Sequence, residues 1–216
     1  TELGEIALIG IEPSFPATGF GYIERGNEMS EAADVYSVKS FKEKPDFDTA
    51  RKYMHAGNYL WNCGYFVGSV NTFLKTMKTS APTLLKRYEA LMKLDDGTKE
   101  YAQKYQSFEN DSIDYALIEK AKDLVVIPAT FDWMDVGNFK DLHDVNEQDE
   151  LGNYVYGDKV HQIEVENTYV RNEEDKHIAI IGLDNVVVVN TPDGLLVARK
   201  DLAPRVGEIA KKIQGS

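Results

Sequence analysis

The sequence has 216 residues, of which 43% are hydrophobic and 28% charged, enough apolar material for one globular domain and a smaller appendage. No apolar run approaches the roughly 18 residues of a membrane helix, and an amino terminus unlike a signal peptide together with a single cysteine, Cys63, favours the cytoplasm. The formal charge of −12 argues against nucleic acid as a partner, because binding to a duplex depends on clustered Lys and Arg.

The first part of the chain, residues 1–150, mixes strand and helix patterns. Asp46 or Asp48 can cap a helix that Gly57 ends, and Ser112 can cap a later one. The predicted strands are Ile6–Ile11, Val35–Phe41, Tyr59–Val67 and Leu124–Pro128. Strands interspersed with helices predict an α/β layer.

The first strand starts almost as soon as the chain does, and position 1 is Thr rather than Met. We therefore expect further strands upstream of Thr1. If Ile6–Ile11 belongs to a sheet that such strands complete, its edge here exposes unpaired backbone donors and acceptors. The sequence thus predicts a core sheet with an open edge beside Ile6 and Glu43.

From Gly152 onward the pattern changes to short β segments separated by Asn, Asp and Gly turns. Their spacing fits a sandwich, a barrel or a β-helix, and periodicity leaves all three open. An apolar stripe from Leu202 to Ile213 predicts a closing helix with Pro204 in its first turn. We therefore divide the chain into residues 1–150 and 151–216. The β segments are Val160–Val165, Tyr169–Val170, Ile178–Ile181, Val186–Val189 and Leu195–Ala198.

Five segments place polar side chains beside Gly or Pro inside otherwise apolar elements. Taken singly, each has a structural explanation: Glu43 and Lys44 fit a solvated strand end, Asn62 a turn and Asp135 a loop cap. Only their order along the chain carries a functional argument. The segments are Gly19–Glu24, Phe41–Pro45, Tyr59–Gly64, Ser112–Glu119 and Trp133–Gly137.

In that order the segments resemble the mannose-1-phosphate guanylyltransferase family, over essentially the whole chain. Gly19-Phe20-Gly21-Tyr22-Ile23 resembles the family's Gly-Tyr-Gly-Tyr-Ile stretch, Glu43-Lys44-Pro45 its Glu-Lys-Pro strand end, and Trp61-Asn62-Cys63-Gly64 its Trp-Asn-Ser-Gly turn. Ser112-Ile113-Asp114-Tyr115-Ala116 and Trp133-Met134-Asp135-Val136-Gly137 complete the series. Phe20 and Cys63 depart from the family's Tyr and Ser.

The resemblance implies a fold and a reaction. The fold is α/β: part of a Rossmann-like, GT-A-like nucleotidyltransferase mixed sheet with helices in residues 1–150, followed by a short left-handed β-helix and a closing helix in residues 151–216. The reaction transfers GMP from GTP to mannose 1-phosphate and gives GDP-mannose and pyrophosphate. Mg²⁺ is the implied cofactor, and a homodimer is the candidate assembly.

The resemblance also implies roles for individual residues. Glu43 and Asn62 would hold sugar hydroxyls, and Lys44 would contact the sugar phosphate. The Gly21 backbone would approach the sugar, and Asp135 would bind the catalytic magnesium. In addition, the aromatic side chains of Tyr22 and Trp61 are candidates for stacking on the sugar ring.

Nothing in the sequence resembles the family's amino-terminal Gly-x-Gly-Thr-Arg loop or its upstream metal-binding Asp. We therefore expect this chain to hold the sugar side alone and to be inactive by itself. Two alternatives stay open: a relative that uses glucose 1-phosphate or another nucleotide, and a catalytically silent regulatory subunit that keeps the sugar pocket. A fused isomerase is disfavoured, because no His-rich segment follows Ile213.

The chemistry of such a site follows from the substrate itself. A sugar 1-phosphate has a second pKa near ~6, so at neutral pH it is largely a dianion and already a nucleophile. No general base is needed. The reaction needs alignment with the α-phosphorus of the nucleotide and cancellation of charge on the transferring group. A Lys and an Asp–metal pair supply both.

Overall fold

The computed structural model describes residues 4–214, which form two compact units. The first unit ends at Trp133 and the second begins at Met134. The division falls earlier in the chain than the change of pattern near Gly152. The boundary lies before the helix that starts at Phe139, because this helix packs against Tyr169 of the β-rich unit, with the rings of Phe139 and Tyr169 6.0 Å apart between centroids.

Five strands form a mixed sheet in the first unit. In this sheet β1 pairs in parallel with β5, and all other neighbours are antiparallel. The order of the strands is β1-β4-β2-β3-β5, and the sheet closes into a barrel. The strands are β1 (Ile6–Ile11), β2 (Gly21–Glu28), β3 (Tyr36–Lys42), β4 (Tyr59–Val67) and β5 (Leu124–Pro128).

The expectation of an open edge beside Ile6 is wrong. β1 pairs with β4 on one side and with β5 on the other. Closure depends on a short contact between β3 and β5, where Tyr36 lies opposite Val126 and Ser37 opposite Val125. Register shifts within β1 and β2 allow it, because a β-bulge bends its strand and increases the local twist.

Helices α1, α2, α4 and α5 of the first unit begin at side-chain caps, whereas α3 begins at Pro82 without one. The Asp46 carboxylate accepts a hydrogen bond from the backbone N–H of Thr49, which confirms it as the cap of α1, and the left-handed Gly57 ends that helix. Ser112 caps the short α5 by accepting from the N–H of Tyr115. The helices are α1 (Phe47–Ala56), α2 (Val70–Ser80), α3 (Pro82–Leu91), α4 (Lys99–Gln106) and α5 (Ile113–Ala116).

The sheet of the first unit packs apolar side chains on both of its sides. One cluster contains Ile23 and Leu60, and the other contains Tyr22 and Trp61. Adjacent residues fall into different clusters because successive side chains of a strand point to opposite faces. Ala50 of α1 belongs to the second cluster, so this helix covers that side of the sheet.

In the second unit, short strands pair in parallel across successive turns of the chain. β6, β8 and β10 form one parallel ladder and β7 and β9 another, while β10 and β11 form an antiparallel hairpin. Each parallel pair joins strands that are separated in the chain by one strand of the other ladder, and this alternation identifies a β-helix among the three architectures that periodicity left open. The strands are β6 (Tyr154–Tyr156), β7 (Val160–Ile163), β8 (Tyr169–Asn172), β9 (Ile178–Ile181), β10 (Val186–Thr191) and β11 (Gly194–Arg199).

Two helices complete the second unit, α6 (Phe139–Val145) and α7 (Val206–Gln214). The predicted closing helix is confirmed. Pro204 lies in the 3-10 turn Lys200–Arg205 that precedes α7, and not in the first turn of the helix itself. Within the described part of the chain, no helix has both the length and the apolar character needed to cross a bilayer.

Candidate functional site

Strand pairing in the first unit brings three of the five motif segments together. β2 lies between β4 and β3 in the sheet. Gly21, the first residue of β2, is opposite Asn62 of β4. Glu43 and Lys44 directly follow the last residue of β3. Glycine, amide, carboxylate and ammonium groups are therefore contributed by the start of β2, the interior of β4 and the residues just after β3.

Gly21 is needed because of what lies next to its Cα. A Cβ at this position would collide with Oε2 of Glu43, would come within 3.0 Å of the Phe41 ring and would lie 3.2 Å from Cβ of Asn62. Its φ angle is not in the left-handed region. The glycine thus gives space to the side chains around it and is not required by the backbone conformation.

The Glu43 carboxylate is buried, with 8% of the residue exposed. Oε1 lies 3.3 Å from Nζ of Lys44. Oε2 is buried as well and has no hydrogen-bond partner among residues 4–214. Burial is the main cause that raises the pKa of Glu43, and the negative charge of Asp114 adds to it. An unsatisfied buried acceptor is costly, and a ligand hydroxyl would satisfy it.

Lys44 has an unusual backbone conformation, with φ at +44°. In a regular strand the side chains of Glu43 and Lys44 would point to opposite faces. The left-handed turn instead brings the two charges within 3.3 Å of each other. Such a conformation costs a bulky residue about 1–3 kcal/mol, and such strain is concentrated at functional sites.

Asn62 is held from both ends of its side-chain amide. Nδ2 donates to Oδ1 of Asp114 at 3.1 Å, and Oδ1 accepts from the N–H of Gly64, also at 3.1 Å. Asp114 belongs to the motif segment Ser112–Glu119. A second contact holds this segment to the sheet, since Lys42 of β3 donates a hydrogen bond to Glu119 at 2.8 Å. Sequence reasoning singled out the segment that contains Asp114 but gave this residue no role.

Tyr22 and Trp61 lie in the core cluster that contains Ala50 of α1. Trp61 directly precedes Asn62 in β4, so the side chains of these two residues point to opposite faces of the sheet. Tyr22 is fully buried and its ring is 5.5 Å from that of Tyr53, while Trp61 is 4% exposed and 5.2 Å from Phe20. The hydroxyl of Tyr22 and Nε1 of Trp61 are buried without a partner in the described range. Stacking of these rings on a sugar stays a prediction.

The fifth segment divides between the two units. Trp133 belongs to the first unit, where it lies 5.6 Å from Phe20. Asp135 belongs to the second unit and is exposed, in the loop before α6. Asn138 caps that helix by accepting from the N–H of Lys140. Within residues 4–214, no three His, Cys, Asp or Glu side chains gather into a metal cluster.

The sequence matches two family models along its length. Residues 1–152 match the nucleotidyl transferase model, and residues 158–213 match the mannose-phosphate isomerase and GMP-like β-helix domain. The chain therefore belongs to the nucleotidyl transferase family. Its mixed α/β sheet, β-rich second unit and closing helix are those that the resemblance implied.

Similar proteins carry more specific names. The xanthan biosynthesis protein XanB of Xanthomonas campestris pv. campestris (strain B100) is 37% identical over 219 residues, which is 100% of this chain and 45% of that protein. The mannose-1-phosphate guanylyltransferase RfbM of Salmonella typhimurium is 36% identical over 210 residues, or 95% of this chain and 43% of that protein. The chain thus spans less than half the length of these curated relatives.

Two solved structures superpose on this chain. A mannose-1-phosphate geranyltransferase from Thermus thermophilus superposes with a TM-score of 0.79 at 30% identity, over 98% of this chain and 61% of that one. A mannose-6-phosphate isomerase from Helicobacter pylori superposes with a TM-score of 0.53 at 29% identity, over 62% of this chain and 53% of that one.

Proposed function

We propose that this chain provides the sugar-phosphate side of a mannose-1-phosphate guanylyltransferase. The complete enzyme transfers GMP from GTP to mannose 1-phosphate and releases GDP-mannose and pyrophosphate. The observation that carries the proposal is the buried Oε2 of Glu43, which has no hydrogen-bond partner in the described part of the chain and lies beside Gly21 and Asn62, in a chain of the nucleotidyl transferase family. The names of its relatives support mannose 1-phosphate as the acceptor.

Each group at the site has a task that its chemistry supports. Glu43 accepts hydrogen bonds from sugar hydroxyls, and the Asn62 amide adds a donor and an acceptor beside it. The Lys44 side chain is 56% exposed and carries a point charge that suits the sugar phosphate. Because that phosphate is already a nucleophile, these residues bind and orient it and remove no proton.

Asp135 is our proposed protein ligand for Mg²⁺. The ion takes one or two carboxylates together with substrate phosphates, so one exposed carboxylate fits part of such a site. The absence of a Cβ at Gly137 leaves room beside it, since that Cβ would lie 3.3 Å from Oδ2 of Asp135. When bound, the ion would supply charge stabilisation to the transferring phosphoryl group.

The proposal also covers the location and assembly of the protein. We place it in the cytoplasm, because the free thiol of Cys63 suits a reducing compartment. We propose a homodimer as the assembly. Cell fractionation and light scattering of the protein expressed from its complete gene test the two statements separately.

A nucleotide and sugar panel tests the function. The protein from the complete gene is incubated with mannose 1-phosphate or glucose 1-phosphate and with GTP, ATP, UTP or dTTP, and pyrophosphate release is followed. We expect turnover with GTP and mannose 1-phosphate, and none from the 216-residue chain alone. Preference for glucose 1-phosphate or another nucleotide would replace our assignment with its rival, and no turnover with any pair would indicate a regulatory subunit.

A further inference from the structure

We infer that Asp114 is a positioning residue of the sugar subsite, which holds the Asn62 amide in one orientation and places a negative charge beside Glu43. The inference rests on the proposed function and assigns a residue that the family resemblance left without a role. Asp114 is half-buried on α5, a helix of four residues.

The contacts around Asn62 fix the orientation of its side-chain amide. An amide that is turned by 180° exchanges its oxygen and its nitrogen. Here that exchange would place the amide oxygen 3.1 Å from the carboxylate of Asp114 and the NH₂ group against the N–H of Gly64. Both contacts would become repulsive. The two neighbours therefore fix which end of Asn62 donates, and one Nδ2 proton stays available for a ligand.

The Glu43 carboxylate is influenced by the charges of Asp114, Lys44 and Glu119. Burial is the largest influence that raises the pKa of Glu43, Asp114 is the next, Lys44 lowers this pKa, and Glu119 raises it less than Asp114 does. Glu119 is itself paired with Lys42 at 2.8 Å. Asp114 is thus the larger of the two anionic influences, and it makes the pocket rich in acceptors. Such a pocket suits the hydroxyls of a neutral sugar ring, while Lys44 is left for its phosphate.

Two substitutions separate positioning from a purely structural role. Asp114→Ala removes both the acceptor for Asn62 and the charge. Asp114→Asn removes the charge but can still present an oxygen to Nδ2. If the side chain acts through Asn62, the Asn variant should restore most of the sugar affinity that the Ala variant loses. Asp111→Asn is the matched control, because it neutralises an exposed carboxylate of the same segment.

The experiment is a calorimetric titration of the chain with mannose 1-phosphate, with far-UV circular dichroism as the check on folding. We expect Asp114→Ala to weaken binding about tenfold, the loss of one charge-assisted hydrogen bond. Asp114→Asn should stay within about threefold of the wild type. The Asp114→Ala, Asn62→Ala double variant should bind no worse than Asn62→Ala, because the two residues act as one unit.

A second measurement follows the Glu43 carboxyl carbon by NMR as the pH is changed. Asp114→Asn should move the midpoint of its titration to lower pH, and Asp111→Asn should leave the midpoint in place. Wild-type affinity in Asp114→Ala, or additive losses in the double variant, would overturn the inference and leave the proposed function standing. A wild-type chain that binds no mannose 1-phosphate would overturn both.

Discussion

Gly21 and Glu43 compete for one space, because a Cβ on Gly21 would collide with Oε2 of Glu43. The carboxylate can occupy its buried position only because residue 21 has no side chain. In the fold, the two residues lie at the start of β2 and just after β3. This relationship gives the first test of the site.

Gly21→Ala should displace the Glu43 carboxylate and weaken binding of mannose 1-phosphate at least tenfold. Overpacking of this kind should also lower the free energy of unfolding by about 1–3 kcal/mol. Gly19→Ala is the control, since a Cβ there meets nothing within 4 Å. Titration and urea denaturation measure the two effects. Equal affinities for Gly21→Ala and the wild type would contradict the assigned role of Glu43.

Glu43 should make the first unit less stable as the pH rises. Burial raises the pKa of Glu43 above its ordinary value of 4.5. The folded state therefore binds this proton more tightly than the unfolded state. The stabilisation is complete below the unfolded pKa and is lost as the pH rises through the folded one.

Glu43→Gln should remove this pH dependence. The variant should gain stability relative to the wild type between pH 4 and pH 7, while its affinity for mannose 1-phosphate falls. Urea denaturation at both pH values measures the change, with the exposed Glu89→Gln as control. A stability difference between Glu43→Gln and wild type that is the same at both pH values would show that Glu43 titrates normally.

Local features of the fold could be predicted from the sequence. β1 and β5 have the bounds that their apolar runs indicate, and α1 is capped at Asp46 and ended at Gly57. Each of these features depends on residues close together in the chain. The hydrophobic pattern and the capping chemistry are therefore sufficient to predict them.

Features that depend on distant residues could not be predicted in this way. Barrel closure requires Tyr36 to meet Val126, and the role of Asp114 requires it to meet Asn62, 52 residues away. Neither contact has a local sequence signal. The sequence also did not predict that the side chains of Glu43 and Lys44 lie together, because this depends on the positive φ angle of Lys44.

Lys44→Ala should act on the sugar phosphate and leave the nucleotide almost unaffected. The lysine is a positioned charge, so its loss should raise the KM for mannose 1-phosphate about tenfold or more, the size of one charge-assisted contact. The KM for GTP should change little. Steady-state kinetics of the protein from the complete gene provide both values. Loss of GTP affinity with unchanged use of the sugar would reverse the assignment.

Lys200 should make the stability of the second unit depend on pH in the alkaline range. Its Nζ lies 3.1 Å from Nδ1 of His143 and also donates to Asn167, and burial lowers the pKa of Lys200. A depressed folded pKa means that stability rises with pH toward the ordinary value of 10.5. Nε2 of His143 lies 2.8 Å from the carbonyl oxygen of Gly152. A carbonyl can only accept, so Nε2 carries the proton, and Nδ1 of the neutral ring is left to accept from Lys200.

Lys200→Met should remove that alkaline increase. At pH 7 it should also cost about 1–3 kcal/mol, because Oδ1 of Asn167 loses its donor and Nδ1 of His143 loses the nearer of its two, the other being Nε2 of Gln148 at 3.4 Å. Thermal unfolding followed by circular dichroism between pH 7 and pH 10 measures both effects. Lys176→Met, at an exposed position, is the control. The same alkaline increase in Lys200→Met and in the wild type would contradict the assignment.

Asp135→Asn should separate metal use from substrate binding. The substitution keeps the size of the side chain and removes the anionic ligand. Losing about 3 kcal/mol of charge stabilisation in the transition state would slow turnover roughly 10²-fold. Affinity for mannose 1-phosphate should stay the same, since Glu43, Asn62 and Lys44 are intact.

The test compares turnover across a magnesium titration for the protein from the complete gene, with Asp132→Asn as the matched control. Asp132 is also an exposed carboxylate and lies three positions earlier in the chain. If Asp135 is a ligand to the metal, Asp135→Asn should raise the magnesium concentration needed for the half-maximal rate and should also lower the maximal rate. The reason is that the ion binds to the variant through fewer anionic oxygens. Asp132→Asn should change neither value. Near wild-type rates for Asp135→Asn at limiting magnesium would refute its role, and equal defects in the two variants would indicate a general electrostatic effect of this loop in place of coordination.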